Sequence, residues 1–176
     1  MSATEPLKIR VIGDPVLCRK AKRVNKVDKR CQDILSRMAQ SMYDHSGIGL
    51  AAPQVGIDEC LIVVDVGTGL YKLINPKVIN KQGMQSREEG CLSVPGVYLK
   101  VKRAKKVLVE ALDDEAKPVS IEAEDLLACA LQHEIDHLNG KLIVDYANFL
   151  DKLRLKVKLK KKNNGLSKPK KEPYKL

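Results

Sequence analysis

A chain of 176 residues, 44% of them hydrophobic, can bury a core without disulfides or a structural metal, so any metal it binds is free to be catalytic. No apolar run approaches the ~18 residues of a membrane span, and the opening MSATEPLKIR lacks the apolar stretch of a signal peptide, so membrane-spanning and secreted classes are set aside and a cytoplasmic location is expected. The formal net charge is +10, and eleven Lys or Arg against two acidic residues place +9 of it in residues 151–176, which leaves the remainder nearly neutral.

Taken in order, Leu7, Ile9 and Val11 alternate with Lys8 and Arg10, the pattern of a short strand that Gly13-Asp14-Pro15 breaks as a turn. Cys31, Ile34, Leu35, Met38 and Met42 keep helical spacing behind Asp28, a suitable N-cap, and predict a helix reaching Asp44 with its methionines as core filling. GIGLAAPQVG at 47–56 is too small and too rich in glycine for ordinary core. Gly47 and Gly49 flank Ile48 and allow close backbone approach, while Gln54 adds a neutral donor.

Residues 60–65 and 71–75 predict a hairpin around Gly67-Thr68-Gly69, with Pro76 ending its second strand. REEGCLSVPG at 87–96 has the composition of a shaped loop, where functional groups tend to sit. Residues 97–101 and 106–112 read as strands, Asp113-Asp114-Glu115 as a turn, and 118–122 as a strand feeding a second helix. Many short strands, two inserted helices and no regular βαβ alternation predict an α+β fold. Residues 1–150 are expected to form one catalytic domain, and 151–176 a basic extension. In that extension Leu153, Leu155, Val157 and Leu159 alternate as a strand would, whereas Tyr146, Leu150, Leu153 and Val157 hold a helical stripe. Helix is preferred, giving way to disorder from Lys160.

The second helix carries the chemistry. Leu126, Ala130, His133 and His137 share one stripe, acidic Glu122, Glu124 and Asp125 crowd its start, and Asn139-Gly140 offers a left-handed stop. His133 and His137 are two of only three histidines, and they bracket Glu134 in the H-E-x-x-H order of metallohydrolases. Two imidazoles need a third ligand if one position is to stay open for water. Five cysteines, scattered and nowhere in a C-x-x-C, argue against a disulfide framework or a four-cysteine zinc knuckle. Cys91, in its glycine-bounded loop, is the natural third ligand. Thiolate plus imidazole suits Zn²⁺ or Fe²⁺, and the residues do not choose between them. Glu134 is placed to take a proton from water and pass it on, and Gln54 with a backbone N–H in the Cys91-Leu92 loop can stabilise an oxyanion. Leu126 and Cys129, on the stripe before His133, are expected to wall an apolar slot for an unbranched side chain.

Together, GIGLAAPQ (47–54), EGCLS (89–93) and QHEIDH (132–137), with the opening LKIRVIGDPVL, resemble peptide deformylase over residues 7–149. The resemblance implies removal of the N-formyl group from the initiator methionine of nascent polypeptides. It implies one divalent ion on Cys91, His133 and His137, with Fe²⁺ the expected metal and Zn²⁺, Ni²⁺ or Co²⁺ as substitutes. Glu134 would be the general base and acid, and Gln54 and the Leu92 amide would polarise the formyl oxygen. The implied fold has mixed or antiparallel short sheets around a central metal-bearing helix. Where many members carry an arginine after EGCLS this chain has Tyr98, and Arg103 matches a second family arginine. A Glu89–Arg103 ion pair beneath the site is expected. The basic segment 151–176 is either a solvated end or an electrostatic contact with the ribosome or its RNA. Two other functions remain open: a zinc peptidase, and an RNA-binding protein with a structural metal whose fourth ligand would have to be His45.

Overall fold

The computed structural model describes residues 7–147. Helix α1 spans Lys29–Asp44 and helix α2 spans Asp125–Leu138. A five-stranded antiparallel sheet has the order β1 (Gly49–Ala51), β2 (Leu61–Val64), β3 (Tyr71–Gln82), β6 (Lys106–Leu112), β7 (Pro118–Glu124); β4 (Gln85–Gly90) pairs with β5 (Tyr98–Arg103) in a separate two-stranded ladder. The α+β class expected from the sequence is the class observed.

Strand β2 explains how the two helices are placed. All four of its residues are fully buried, because the strand is apolar on both faces. Ile62 and Val64 pack with Ala128, Ala130, Leu131 and Leu138 of α2. Leu61 and Val63 pack with Ile34, Leu35, Met38 and Met42 of α1. The sheet therefore lies between the helices, and the methionines are core. A third cluster joins Leu17, Val94, Val97, Leu142 and Ile143 around Cys91.

Local signals set the helix limits. Asp28 accepts a hydrogen bond from the Cys31 N–H at 3.0 Å, the expected N-cap. Gly140, at φ 71°, follows Asn139 as the left-handed exit from α2.

Three expectations fail for physical reasons. No strand forms over 7–11. Its N–H groups are taken one at a time, Leu7 by Ser41 Oγ (3.0 Å), Arg10 by the Gln54 carbonyl (2.7 Å) and, just beyond, Ile12 by the Ser93 carbonyl (2.7 Å), so the segment is a strap across three others. Pro76 does not end its strand, since β3 runs on to Gln82. The register against β6 shifts between Ile74 and Lys77, and a bulge is where a residue without an N–H fits a ladder. Asn75 takes φ 55° there and is held by paired side-chain bonds to the Val24 N–H and carbonyl, both 2.9 Å. Finally, the stretch 87–96 is not loop throughout: as far as Gly90 it is β4, paired from Gln85↔Arg103 to Gly90↔Tyr98. The helix expected beyond Tyr146 lies outside the described residues.

Replacing Leu35, fully buried, with alanine is expected to cost ~2–5 kcal/mol in denaturant unfolding, against ~1 kcal/mol for Asp28→Ala at the cap. Equal losses would show that the α1 face does not anchor the core as described.

Candidate metal centre and active site

Helix α2 puts His133 and His137 one turn apart, and the start of the loop after β4 delivers Cys91 from the other side. The Nε2 atoms of the two histidines lie 3.2 Å apart, and Cys91 Sγ lies 3.3 Å from His137 Nε2. The rings meet edge to face, their centroids 4.9 Å apart at 72°. Ligand atoms bound at ~2.0–2.3 Å and tetrahedral angles stand about 3.3–3.6 Å from one another, so the three heteroatoms already have nearly the spacing of a coordination shell. Among the described residues no fourth His, Cys, Asp or Glu joins the group, and His45 is not part of it. All three side chains are buried; burial holds the His137 imidazole well below its usual pKa, while at His133 the bonds to Cys91 and Glu89 outweigh burial and push it well above.

Beneath the ligands sits a buried electrostatic assembly. Glu89, fully buried on β4, accepts both arms of the Arg103 guanidinium from β5 (Nε to Oε1 2.8 Å, Nη2 to Oε2 2.9 Å). The same carboxylate contacts His133 Nδ1 at 2.8 Å and accepts from the Cys129 thiol at 3.1 Å. Burial opposes its charge, but the bonds from Arg103 and His133 outweigh that and lower its pKa to about 2. Fixing a proton on His133 Nδ1 leaves Nε2 with its lone pair aimed at the other two ligands. The expected Glu89–Arg103 pair is thus present. It is itself held by Asp136, which pairs with Arg103 and accepts from Tyr146 Oη at 2.7 Å, and by the Tyr146 ring, 4.9 Å from the guanidinium carbon.

Above the ligands is a cavity of about 30 Å³ lined by Gly47, Ile48, Gly49, Gln54, Gly90, Cys91, Leu92, His133 and Glu134. Its volume is that of an ion with a water. Gln54 is oriented by the backbone of Ala51: Oε1 accepts from the Ala51 N–H at 2.7 Å, so Nε2 turns toward Cys91 Sγ, 3.6 Å away. A side chain at position 49 would place its Cβ 2.3 Å from Glu134 Oε1, so only glycine lets the strand approach this carboxylate. Glu134 Oε2 is buried without a hydrogen-bond partner, and burial raises the pKa of its carboxyl to about 7. A buried, unpaired carboxylate beside three converging ligands is suited to exchanging protons with a bound water.

A sequence profile of the polypeptide deformylase family matches residues 6–153. The chain belongs to that family. It is 55% identical over 144 residues to the peptide deformylase of Thermoanaerobacter pseudethanolicus, covering 81% of this chain and 91% of that one. It is 54% identical over 148 residues to the enzyme of Caldanaerobacter subterraneus, covering 84% and 93%. Among solved structures, peptide deformylase from Legionella pneumophila superposes with a TM-score of 0.86 at 43% identity, covering 91% of this chain and 96% of that one. The Synechococcus elongatus enzyme, in complex with actinonin, gives 0.83 at 44%, covering 92% and 88%. Like these deformylases, the chain is a metallohydrolase that removes the N-formyl group from nascent polypeptides.

The structure brings Gly47, Ile48, Gly49, Gln54, Leu92 and Glu134 to the cavity with the ligands. It does not bring Leu126 or Cys129 there. Cys129, one turn before His133 on the same stripe, turns beneath it onto Glu89, and burial, together with that carboxylate, raises its thiol pKa to about 12. The contacts of Asp136 and Tyr146 with Arg103 were not readable, because they depend on how three distant segments fold together. A faint signal was available: Asp136 lies one helical turn after His133, where the partner of an arginine reaching that ligand's carboxylate could sit.

Arg103→Leu should strand the Glu89 charge, costing ~3–5 kcal/mol of stability, and weaken zinc affinity by ~10–100-fold in chelator competition. Arg103→Lys, which keeps the charge without the fork, should fold and still lose affinity. Unchanged affinity in the lysine variant would remove the assembly from metal retention.

Proposed function

We propose that Cys91, His133 and His137 hold one divalent ion, and that Glu134, Gln54 and the Leu92 amide carry out deformylation. The observation that supports this reading best is the convergence of the three ligand atoms beside the unpaired Glu134 carboxylate. Fe²⁺ is the proposed native ion, and Zn²⁺, Ni²⁺ or Co²⁺ suit the same donors. When bound, such an ion supplies Lewis acidity, acidifying water and polarising a carbonyl.

The chain's own groups do the rest. Glu134 accepts the proton of the attacking water and returns it to the departing amine as the formyl C–N bond breaks and formate forms. Gln54 Nε2 and the Leu92 N–H donate to the oxygen that gains charge, each worth ~10²–10³ in rate. The cavity admits the formyl group beside the ligands. The cavity is bordered by Gly47-Ile48-Gly49, which leads into β1, the edge strand of the sheet, along which an extended peptide can pair. Residues 1–150 form the catalytic unit in this reading. The segment 151–176 lies almost wholly beyond the family match and serves as a basic contact for ribosomal RNA in the cytoplasm, where nascent chains emerge.

Metal-loaded protein should release formate from formyl-Met-Ala-Ser and leave acetyl-Met-Ala-Ser intact; cleavage of internal bonds instead would indicate a peptidase. Gln54→Ala should lower kcat/KM by ~10²–10³. Removing the residues after Asp151 should reduce ribosome affinity and its salt dependence while peptide turnover persists, and equal ribosome binding by the shortened chain would reject the role given to that segment.

A further inference from the structure

Beyond the Arg103–Asp136–Tyr146 assembly runs a groove of about 930 Å³. From α2, Gln132, Ile135, Asp136, Leu138 and Asn139 line the groove, whereas His133 and His137 are ligand candidates and Glu134 lines the cavity beside them. Six exposed cations line it, Lys20, Arg23, Lys77, Lys81, Lys102 and Lys141, brought from four separate segments of the chain. Among the described residues none of the six makes an ion pair, although Lys22, Lys29, Arg30, Lys72, Lys106 and Lys117 elsewhere all do. The groove's lining includes a single carboxylate, Asp136, and Arg103 already engages it. Placing six like charges around one concavity with no counter-charge is unfavourable, and it creates a positive field focused by the groove walls.

We propose that this groove is a docking surface for the phosphate backbone of RNA. The field suits a polyanion long enough to span several cations at once, and Tyr146, 42% exposed at the groove, offers an aromatic face for a base. Residue 147 follows directly from this groove, so the +9 of residues 151–176 joins the chain next to a surface of its own sign. Like charge disfavours that segment as the occupant, and the two basic features favour the same class of partner. Because the groove and the cavity beside Cys91 and His133 share no lining residue, RNA held in the groove leaves the cavity open to a peptide. The inference concerns folded residues only and does not depend on the role proposed for the terminal segment.

The test uses the full-length, zinc-loaded protein and a single-stranded RNA oligonucleotide, with binding followed by fluorescence anisotropy across a salt series. Lys77→Glu/Lys81→Glu is compared with Lys8→Glu/Lys26→Glu, an equal charge change at exposed residues that do not line the groove. The groove variant should bind RNA about tenfold or more weakly, with the slope of log affinity against log salt reduced by about two. Its turnover of formyl-Met-Ala-Ser should match wild type, which also reports that it is folded. The control variant should keep most of the affinity. Equal losses in both variants would show that overall charge, not the groove, binds RNA and would overturn the proposal. So would polyglutamate of matched charge binding the groove as tightly as RNA, since the occupant would then be an acidic protein surface. Deleting the residues after Asp151 separates the two ideas: if the groove is a site of its own, the shortened chain keeps the difference between the two variants.

Discussion

The Glu89 carboxylate is the interaction on which the rest of the site depends. It is fully buried and therefore has to be neutralised, and the fold does this with a forked guanidinium on one side and a histidine N–H on the other. A carboxylate that accepts from His133 Nδ1 settles which nitrogen of that ring is free, and so which way the ligand's lone pair points. Arg103 is in turn fixed by Asp136 and Tyr146, so three segments distant in sequence determine the orientation of one imidazole. The cost of burying this charge is met locally, within hydrogen-bonding distance of the metal ligands.

The architecture around it keeps the two halves of the site in register. Strand β2 is apolar on both faces and fastens α2 to one side of the sheet and α1 to the other. The N-terminal strap bonds to the carbonyls of Gln54 and Ser93, tying together the segments that carry Gln54 and Leu92. Gln132 holds α2 from its other face, donating to the Ala104 and Ala128 carbonyls while its own oxygen accepts from the Ala104 N–H. A catalytic arrangement needs its groups held to within a fraction of an ångström, and Gln54, Leu92 and His133 are each steadied by bonds to their own segments from another element.

Much of the site was legible in the residues, because its chemistry is encoded in local spacing. Four-residue separation of two histidines on a helix fixes their shared face, a glycine pair around Ile48 marks close backbone approach, and a cysteine between Gly90 and Ser93 stands apart from the apolar cysteines. The helix limits were equally local, set by Asp28 and Gly140. What escaped was whatever depends on tertiary partners. The alternation over residues 7–11 is real, but the neighbours available to it are single carbonyls and a hydroxyl, not a strand. Pro76 breaks a ladder only where its missing N–H is needed, and the bulge removes that need. Cys129 shares the stripe of His133, and spacing alone does not show that its thiol is bonded to Glu89.

The central claim is that Glu89 presets the ring of His133, so that both histidines offer Nε2 to the ion. Long-range proton–nitrogen correlation on zinc-loaded protein, with histidine labelled with nitrogen-15, reads this directly. The account predicts that His133 and His137 both carry their proton on Nδ1, with Nε2 bound to zinc. A His133 ring protonated on Nε2, with Nδ1 on the metal, would contradict it.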